Sequence, residues 1–175
     1  GSFAQTYKGH GTDRALTAGI LGMQPDDERI KDSLDIAETQ NLSITFDTID
    51  IPGAHPNTAE ITLTDADGHT VCIQGCSIGG GNIIINTIDT MPVHITGQSP
   101  TIIVVHDDVP GMIAAVTALA AKDALNIYSF DLSRDKKGGT AIMALQVDGR
   151  HVYTPLKQSL EAVPHVAKVI FIPPY

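Results

Sequence analysis

Apolar positions along the chain change their period near residue 40, and the change separates helix-forming from strand-forming sequence. Before it, Leu16, Ile20 and Leu21 recur at helical spacing over 13–21, with Thr12 or Asp13 as the start and Gly22 as the stop. A second helix is expected over 26–39, opened by acidic residues and carrying Ile30, Leu34 and Ala37 on one face. After it, 43–49 (SITFDTI), 59–64, 69–78 and 82–89 are rich in β-branched residues, alternate in part, and read as strands. Asp65-Ala66-Asp67-Gly68 is the turn between the second and third of these. Gly79-Gly80-Gly81-Asn82 joins the third to the fourth. It reads either as a permissive hairpin turn or as backbone N–H groups open to a carboxylate or phosphate, and the missing helix and spacing of a phosphate motif favour the turn.

Gly97-Gln98-Ser99-Pro100 is a polar break and the best candidate linker, which divides the chain into domains 1–96 and 101–175. Beyond it, 101–105 (TIIVV) is a buried strand and 111–122 a helix with Met112, Ile113, Val116, Leu119 and Ala120 inward. Residues 126–133 alternate as a strand, 135–139 turn, and 140–147 form another strand. Residues 154–163 form a short helix with Leu156, Leu160 and Val163, and 166–172 a closing strand. The order βαββαβ specifies a ferredoxin-like sandwich of four antiparallel strands under two helices, so the chain is α+β.

Composition narrows the chemistry. The chain has 175 residues, 42% of them hydrophobic and 18% charged, as expected of a globular protein with a packed core. A net charge of −9 repels a phosphate backbone, and the basic residues are not clustered beyond Lys136-Lys137, so nucleic acid is an unpromising partner. No apolar run approaches a membrane span and no signal peptide opens the chain, which makes the cytoplasm the expected location. The start at Gly1-Ser2-Phe3 without Met is that of a fragment, a processed chain or a tag scar. Cys72 and Cys76 lie roughly 13 Å apart on a regular strand, too far for a disulfide, and two thiols hold neither a structural zinc nor an iron–sulfur cluster. They read as buried structural thiols, and no metal ligands are assigned.

Two loops concentrate polar groups. Lys8-Gly9-His10-Gly11-Thr12-Asp13 is either a glycine-softened helix start or a loop that holds His10 toward a small substrate. Lys8 is then a charge for a carboxylate or simply solvated, and Thr12 a hydrogen-bond donor or an N-cap. His106-Asp107-Asp108-Val109-Pro110-Gly111 joins a strand to a helix. Its acids suit an ammonium group and the free helix N–H groups a carboxylate, or the acids merely cap the helix. His55, in PGAHPN, reads as exposed and without a role, and His69, His94, His151 and His165 show no spacing typical of a metal site.

The strand TIIVVHD, the turn DVPGM, the helix after it and NIYSFDLSRDKKGGTAIMALQVDG resemble an ACT domain, a regulatory module that binds amino acids between paired domains. GSFAQTYKGHGTDRALTAGILG, DTIDIPGAHPNTAEITLTDADG and CSIGGGNIIINTIDT resemble the β subunit of iron–sulfur-dependent L-serine dehydratase, and the likeness runs from Gly1 to Tyr175. The resemblance implies an allosteric-substrate-binding-like α/β domain before the ACT domain, and a partner α subunit whose cysteines hold a 4Fe-4S cluster. It implies elimination of water from L-serine, giving pyruvate and ammonia, with cluster iron as Lewis acid and a protein base at the α proton.

On that likeness His10, Lys8 and Thr12 are the candidate catalytic residues. His106, Asp107, Asp108, Val109 and Gly111 form the amino-acid site, and Gly79, Gly80 and Gly81 are positions of close backbone approach. The family's Ser-Ser-His-Thr segment is not found in 1–175, and the chain alone is expected to be inactive. Pairing through ACT domains is expected, since their free sheet edges associate. The competing reading is a non-catalytic L-serine-binding regulatory module, as in some D-3-phosphoglycerate dehydrogenases.

Overall fold

The computed structural model describes residues 1–149 and 154–175 and divides into two compact units, 1–58 and 59–175. The first unit holds three short helices, α1 (Ser2–Thr6), α2 (Thr12–Ile20) and α3 (Ser33–Thr39). The helix expected over 26–39 arrives in two pieces, because a 3-10 turn at Glu28–Asp32 precedes α3. Asp27 is the N-cap of the first piece. Its carboxylate accepts from the Arg29 guanidinium and from the Arg29 backbone N–H at 2.9 Å, and these bonds, the guanidinium's foremost, pull its pKa down to about 2. α2 packs on α3 through small residues: Thr17, Ala18, Ser33 and Ala37 are all buried, and Ser33 Oγ donates to the Arg14 carbonyl at 2.8 Å.

The strand expected over 43–49 does not form. Leu42, Ile44 and Phe46 are half-buried and their neighbours exposed, and Phe46 stacks on Tyr7 with ring centroids 6.0 Å apart. The alternation was real, but it reports one-sided burial of extended chain. A strand also needs a neighbour to complete its ladder, and none pairs here.

The second unit contains two antiparallel sheets. β1 (Thr58–Thr64), β2 (Thr70–Gly79), β3 (Asn82–Ile88) and β4 (Met91–Ile95) lie in sequential order. β4 is not legible in the sequence because Pro92 sits inside it. Proline survives there because β4 is an edge strand, where one row of N–H groups has no ladder to serve. The other sheet has the order β6-β7-β5-β8, built from β5 (Thr101–Asp107), α4 (Met112–Lys122), β6 (Ile127–Arg134), β7 (Thr140–Val147), α5 (Thr154–Glu161) and β8 (Val166–Ile172). This is the expected ferredoxin-like βαββαβ arrangement.

Both faces of that sheet are covered. Ile102, Val104, Met143 and Leu145 pack against Met112 and Val116 of α4 and Leu156 and Leu160 of α5. On the opposite face Ile103, Ile142 and Ala144 pack against Met91, Val93 and Ile95 of β4. Double-sided burial is why TIIVV and AIMAL are continuous apolar runs rather than alternating ones. Gln146 is the polar exception. Its Nε2 donates to the His94 carbonyl at 2.9 Å and its Oε1 accepts from Thr96 Oγ1 at 3.2 Å, which satisfies a side chain only 2% exposed. In the segment 97–100, Gly97 accepts from the Tyr175 N–H and Pro100 from the Val147 N–H.

Candidate functional site

Within the first unit, residues 7–11 form chained turns between α1 and α2. The His10 N–H donates to the Thr6 carbonyl at 2.9 Å, and the Thr12 N–H to the Tyr7 carbonyl at 2.8 Å. Gly11 is the N-cap of α2 at φ +70, a conformation that glycine adopts without strain, and neither Thr12 nor Asp13 caps the helix by its side chain. Asp13 instead accepts from the Arg14 N–H. The His10 and Lys8 side chains are exposed while the backbone beneath them is pinned, and the Lys8 ammonium lies 5.8 Å from the centre of the Tyr7 ring.

The same unit has an open pocket of about 150 Å³ whose wall includes Ala4, Asp50, Ile51, His55 and Thr58. His55 Nδ1 accepts from the Asn57 N–H, and its carbonyl accepts from both the N–H and the hydroxyl of Thr58. His55 is exposed, as its flanking turn formers indicate. Its place in a pocket wall comes from the path of 49–58, which no local pattern encodes.

In the second unit, Gly79, Gly80 and Gly81 all have positive φ (+90, +62 and +79) and close the β2–β3 hairpin. No atom lies within 4 Å of where a Cβ would stand on Gly79 or Gly81, so glycine is needed there for its conformation and not for space. Asn82 Nδ2 donates to the Gly79 and Gly80 carbonyls, and Gln98 holds the Asn82 Oδ1 at 2.7 Å. In the β1–β2 turn, the ligand atoms of Asp65, Asp67 and His69 come within 4.8 Å of one another on the surface. Asp65 already accepts from the Asp67 and His69 N–H groups and from the His69 ring.

The loop from β5 to α4 brings together all the residues assigned to it and adds two that the sequence did not single out. His106 is 3% exposed; its Nδ1–H donates to the Asp107 carbonyl at 2.6 Å, which leaves Nε2 a buried acceptor without a partner. Asp107 pairs with His165 Nδ1 at 3.0 Å. Asp108 accepts from the Gly138 N–H at 2.9 Å and from Arg134 Nη1 at 2.7 Å, and these bonds hold its carboxyl below the usual carboxylate pKa. Neither acid caps α4. The N-cap is Gly111 at φ +94, and no side chain bonds the first-turn N–H groups. Val109 is half-buried against the core. Arg134 and His165 were not foreseen because they lie 26 and 58 residues from their partners.

Comparison with known proteins bears on what these loops serve. The probable L-serine dehydratase beta chain of Bacillus subtilis (strain 168) is 39% identical over 169 residues, which cover 97% of this chain and 76% of the relative. The L-serine dehydratase beta chain of Peptoniphilus asaccharolyticus is 36% identical, over 93% of this chain and 71% of its own length. The chain belongs to the L-serine dehydratase beta chain family. Residues 102–168 of this beta-chain family member match a family described as AHAS small subunit-like ACT domain. A D-3-phosphoglycerate dehydrogenase of Synechocystis sp. is 31% identical over 74 residues, 42% of this chain and 13% of that enzyme. A solved ACT domain from the GTP pyrophosphokinase of Chlorobium tepidum is 25% identical, covers 41% of this chain and 94% of its own, and aligns with a TM-score of 0.33. Among the described residues no helix is long and apolar enough to cross a membrane.

Proposed function

We propose that this chain is the β subunit of an L-serine dehydratase, with residues 1–96 contributing to the catalytic site, 97–100 as linker and 101–175 as the ACT domain. The reaction removes a proton from Cα and the hydroxyl from Cβ of L-serine. The resulting aminoacrylate tautomerises and hydrolyses to pyruvate and ammonia. The observation that carries the catalytic assignment is His10: an exposed imidazole on a loop whose backbone is fixed at both ends by hydrogen bonds to Thr6 and Tyr7. His10 exchanges the proton with substrate, Lys8 offsets the substrate carboxylate and Thr12 donates a hydrogen bond. Gly79, Gly80 and Gly81 leave main chain open to close approach.

A 4Fe-4S cluster does not fit the described residues of this chain. Cys72 is half-buried and Cys76 buried, with the Asn86 amide against its sulfur, and a cluster needs four such ligands. On this reading a partner α subunit holds it, and this chain alone is inactive. The ACT domain binds an α-amino acid at His106, Asp107, Asp108, Val109 and Gly111 and pairs with a second copy. Reconstitution with the α subunit tests the assignment: His10→Ala lowers L-serine turnover by roughly 10²-fold or more, the loss typical of an acid–base group. Full turnover at saturating serine would remove His10 from the mechanism and favour the alternative that the match to D-3-phosphoglycerate dehydrogenase raises, a serine-binding regulatory module.

A further inference from the structure

Glycine at 79, 80 and 81 leaves the β2–β3 hairpin no side chains with which to fix its own tip. Gly79 faces Asn82 across the ladder, so Gly80 and Gly81 form a two-residue turn at φ +62 and +79. Glycine loses more conformational freedom on folding than any other residue, so such a turn keeps one position only when something beyond it supplies contacts. Packing does not supply them, because Ile78 and Ile83 on either side are 51% and 40% exposed. Hydrogen bonds do. Asn82 Nδ2 donates to the Gly79 and Gly80 carbonyls at 3.3 Å each, and Gln98 Nε2 donates to Asn82 Oδ1 at 2.7 Å. Among the described residues, Gln98 is the only side chain from outside β2 and β3 that bonds to this group.

Gln98 is itself fixed from two directions. Its backbone N–H lies 3.5 Å from Thr96 Oγ1, and the Thr96 hydroxyl donates to buried Gln146 of β7. From the other direction, the Tyr175 N–H donates to the Gly97 carbonyl at 3.1 Å and the Tyr175 ring covers Gly97. A Cβ on Gly97 would stand 2.7 and 2.8 Å from Tyr175 Cε1 and Cδ1, with Ile83 Cδ1 at 4.0 Å from the same point. Any larger residue at 97 would push the ring away, and Gly97 is buried at φ +73 beneath it. Tyr175 follows β8, so the turn between β2 and β3 is tied through 96–98 to two strands of the other sheet.

We infer that Gln98 and Tyr175 are positioning residues for the glycine hairpin. Gln98 orients the Asn82 amide, which fixes the turn, and the Tyr175 ring clamps the segment that carries Gln98. The inference rests on the reading that Gly79, Gly80 and Gly81 approach the substrate, and it says what holds them in place to do so. The bonds run in series, turn to Asn82 to Gln98, so Gln98 acts on the turn only through Asn82. What Tyr175 contributes is its ring, since it is the ring carbons that meet Gly97.

Nitrogen-15 relaxation of the full chain reads the hold on the turn without any partner subunit. The Gly80 and Gly81 amides should show order parameters of about 0.85 in the wild type, the value of rigid backbone, and below about 0.6 in Asn82→Ala, Gln98→Leu and Tyr175→Ala, with the β5 amide shifts unchanged. Tyr175→Phe, which keeps the ring, should match the wild type. The double variant Asn82→Ala/Gln98→Leu should be no looser than Asn82→Ala alone, because the two residues act in series. With the α subunit added, Gln98→Leu should raise the KM for L-serine by about fivefold or more and change kcat by less than about twofold, the split expected when a binding contact is loosened and the reacting groups are untouched. Order parameters that stay at the wild-type value in Gln98→Leu, or a Tyr175→Phe turn as loose as Tyr175→Ala, would overturn the inference. Order parameters that fall while KM stays constant would instead overturn the reading that the hairpin approaches the substrate.

Discussion

Arg134 Nη1 lies 2.7 Å from Asp108 Oδ2, so the guanidinium at the end of β6 is bonded to the loop that begins α4. The Gly138 N–H reaches the same carboxylate, and the Asp108 N–H in turn donates to the Gly139 carbonyl. Asp108 thereby ties the β6–β7 turn to the β5–α4 loop.

This tie makes stability depend on pH in one direction. The folded carboxyl has its pKa lowered below the ordinary 3.8. Its contribution is therefore present above the unfolded value and is lost as pH falls through the lower folded value. Asp108→Asn is expected to melt below the wild type at pH 7, and the gap should close as the buffer is taken below pH 3. Thermal melts followed by circular dichroism at both pH values check this, and a gap that persists or widens in acid contradicts it.

His106 separates a structural role from a binding role. Its buried Nε2 accepts from nothing, and the Asp107 carbonyl that its Nδ1–H serves also accepts from the Val109 N–H, so an apolar side chain here removes an unpaired polar atom and one hydrogen bond without stranding that carbonyl. His106→Leu should keep or raise the melting temperature. If the loop binds L-serine as proposed, the same change should weaken calorimetric binding about 10- to 100-fold, the equivalent of about 1.5–3 kcal/mol for a hydrogen bond to a charged group.

Gln146 holds β4 against the ACT sheet with both ends of its amide. Gln146→Leu keeps the volume but strands the His94 carbonyl and the Thr96 hydroxyl. The expected cost is about 1–3 kcal/mol in urea unfolding, with no change in the slope of the transition.

Glycine at positive φ and glycine in a helix should respond oppositely to alanine. Gly79→Ala meets no atom yet forces a Cβ onto φ +90, and should destabilise by about 1–2 kcal/mol. Gly19→Ala, near the end of α2 with equally open space and ordinary φ, should stabilise by about 0.5–1 kcal/mol. Equal effects at the two positions in chemical denaturation would refute the conformational argument.

Much of the fold was legible from periodicity, because local burial writes a local pattern. The βαββαβ order of 101–172 emerged nearly residue for residue, since continuous apolar runs bounded by turn residues leave few alternatives. The same logic failed at 43–49, where alternating burial without a partner strand looks like a strand, and at β4, where Pro92 hides one. The helix expected over 26–39 opens as a 3-10 turn capped by Asp27 and becomes α-helical only from Ser33, a change of winding that hydrophobic spacing does not register.

By itself, the sequence determined the ACT topology, the glycine loops and the placing of His10, His106, Asp107 and Asp108 on connections between elements, because each depends on neighbours within a few residues. Only the tertiary structure decided what those side chains face. Asp107 is engaged by His165 and Asp108 by Arg134, α4 is capped by Gly111 rather than by either acid, and β4 covers the second face of the ACT sheet. These contacts join residues tens of positions apart, and their energies depend on distance and burial in space, which no pattern along the chain records.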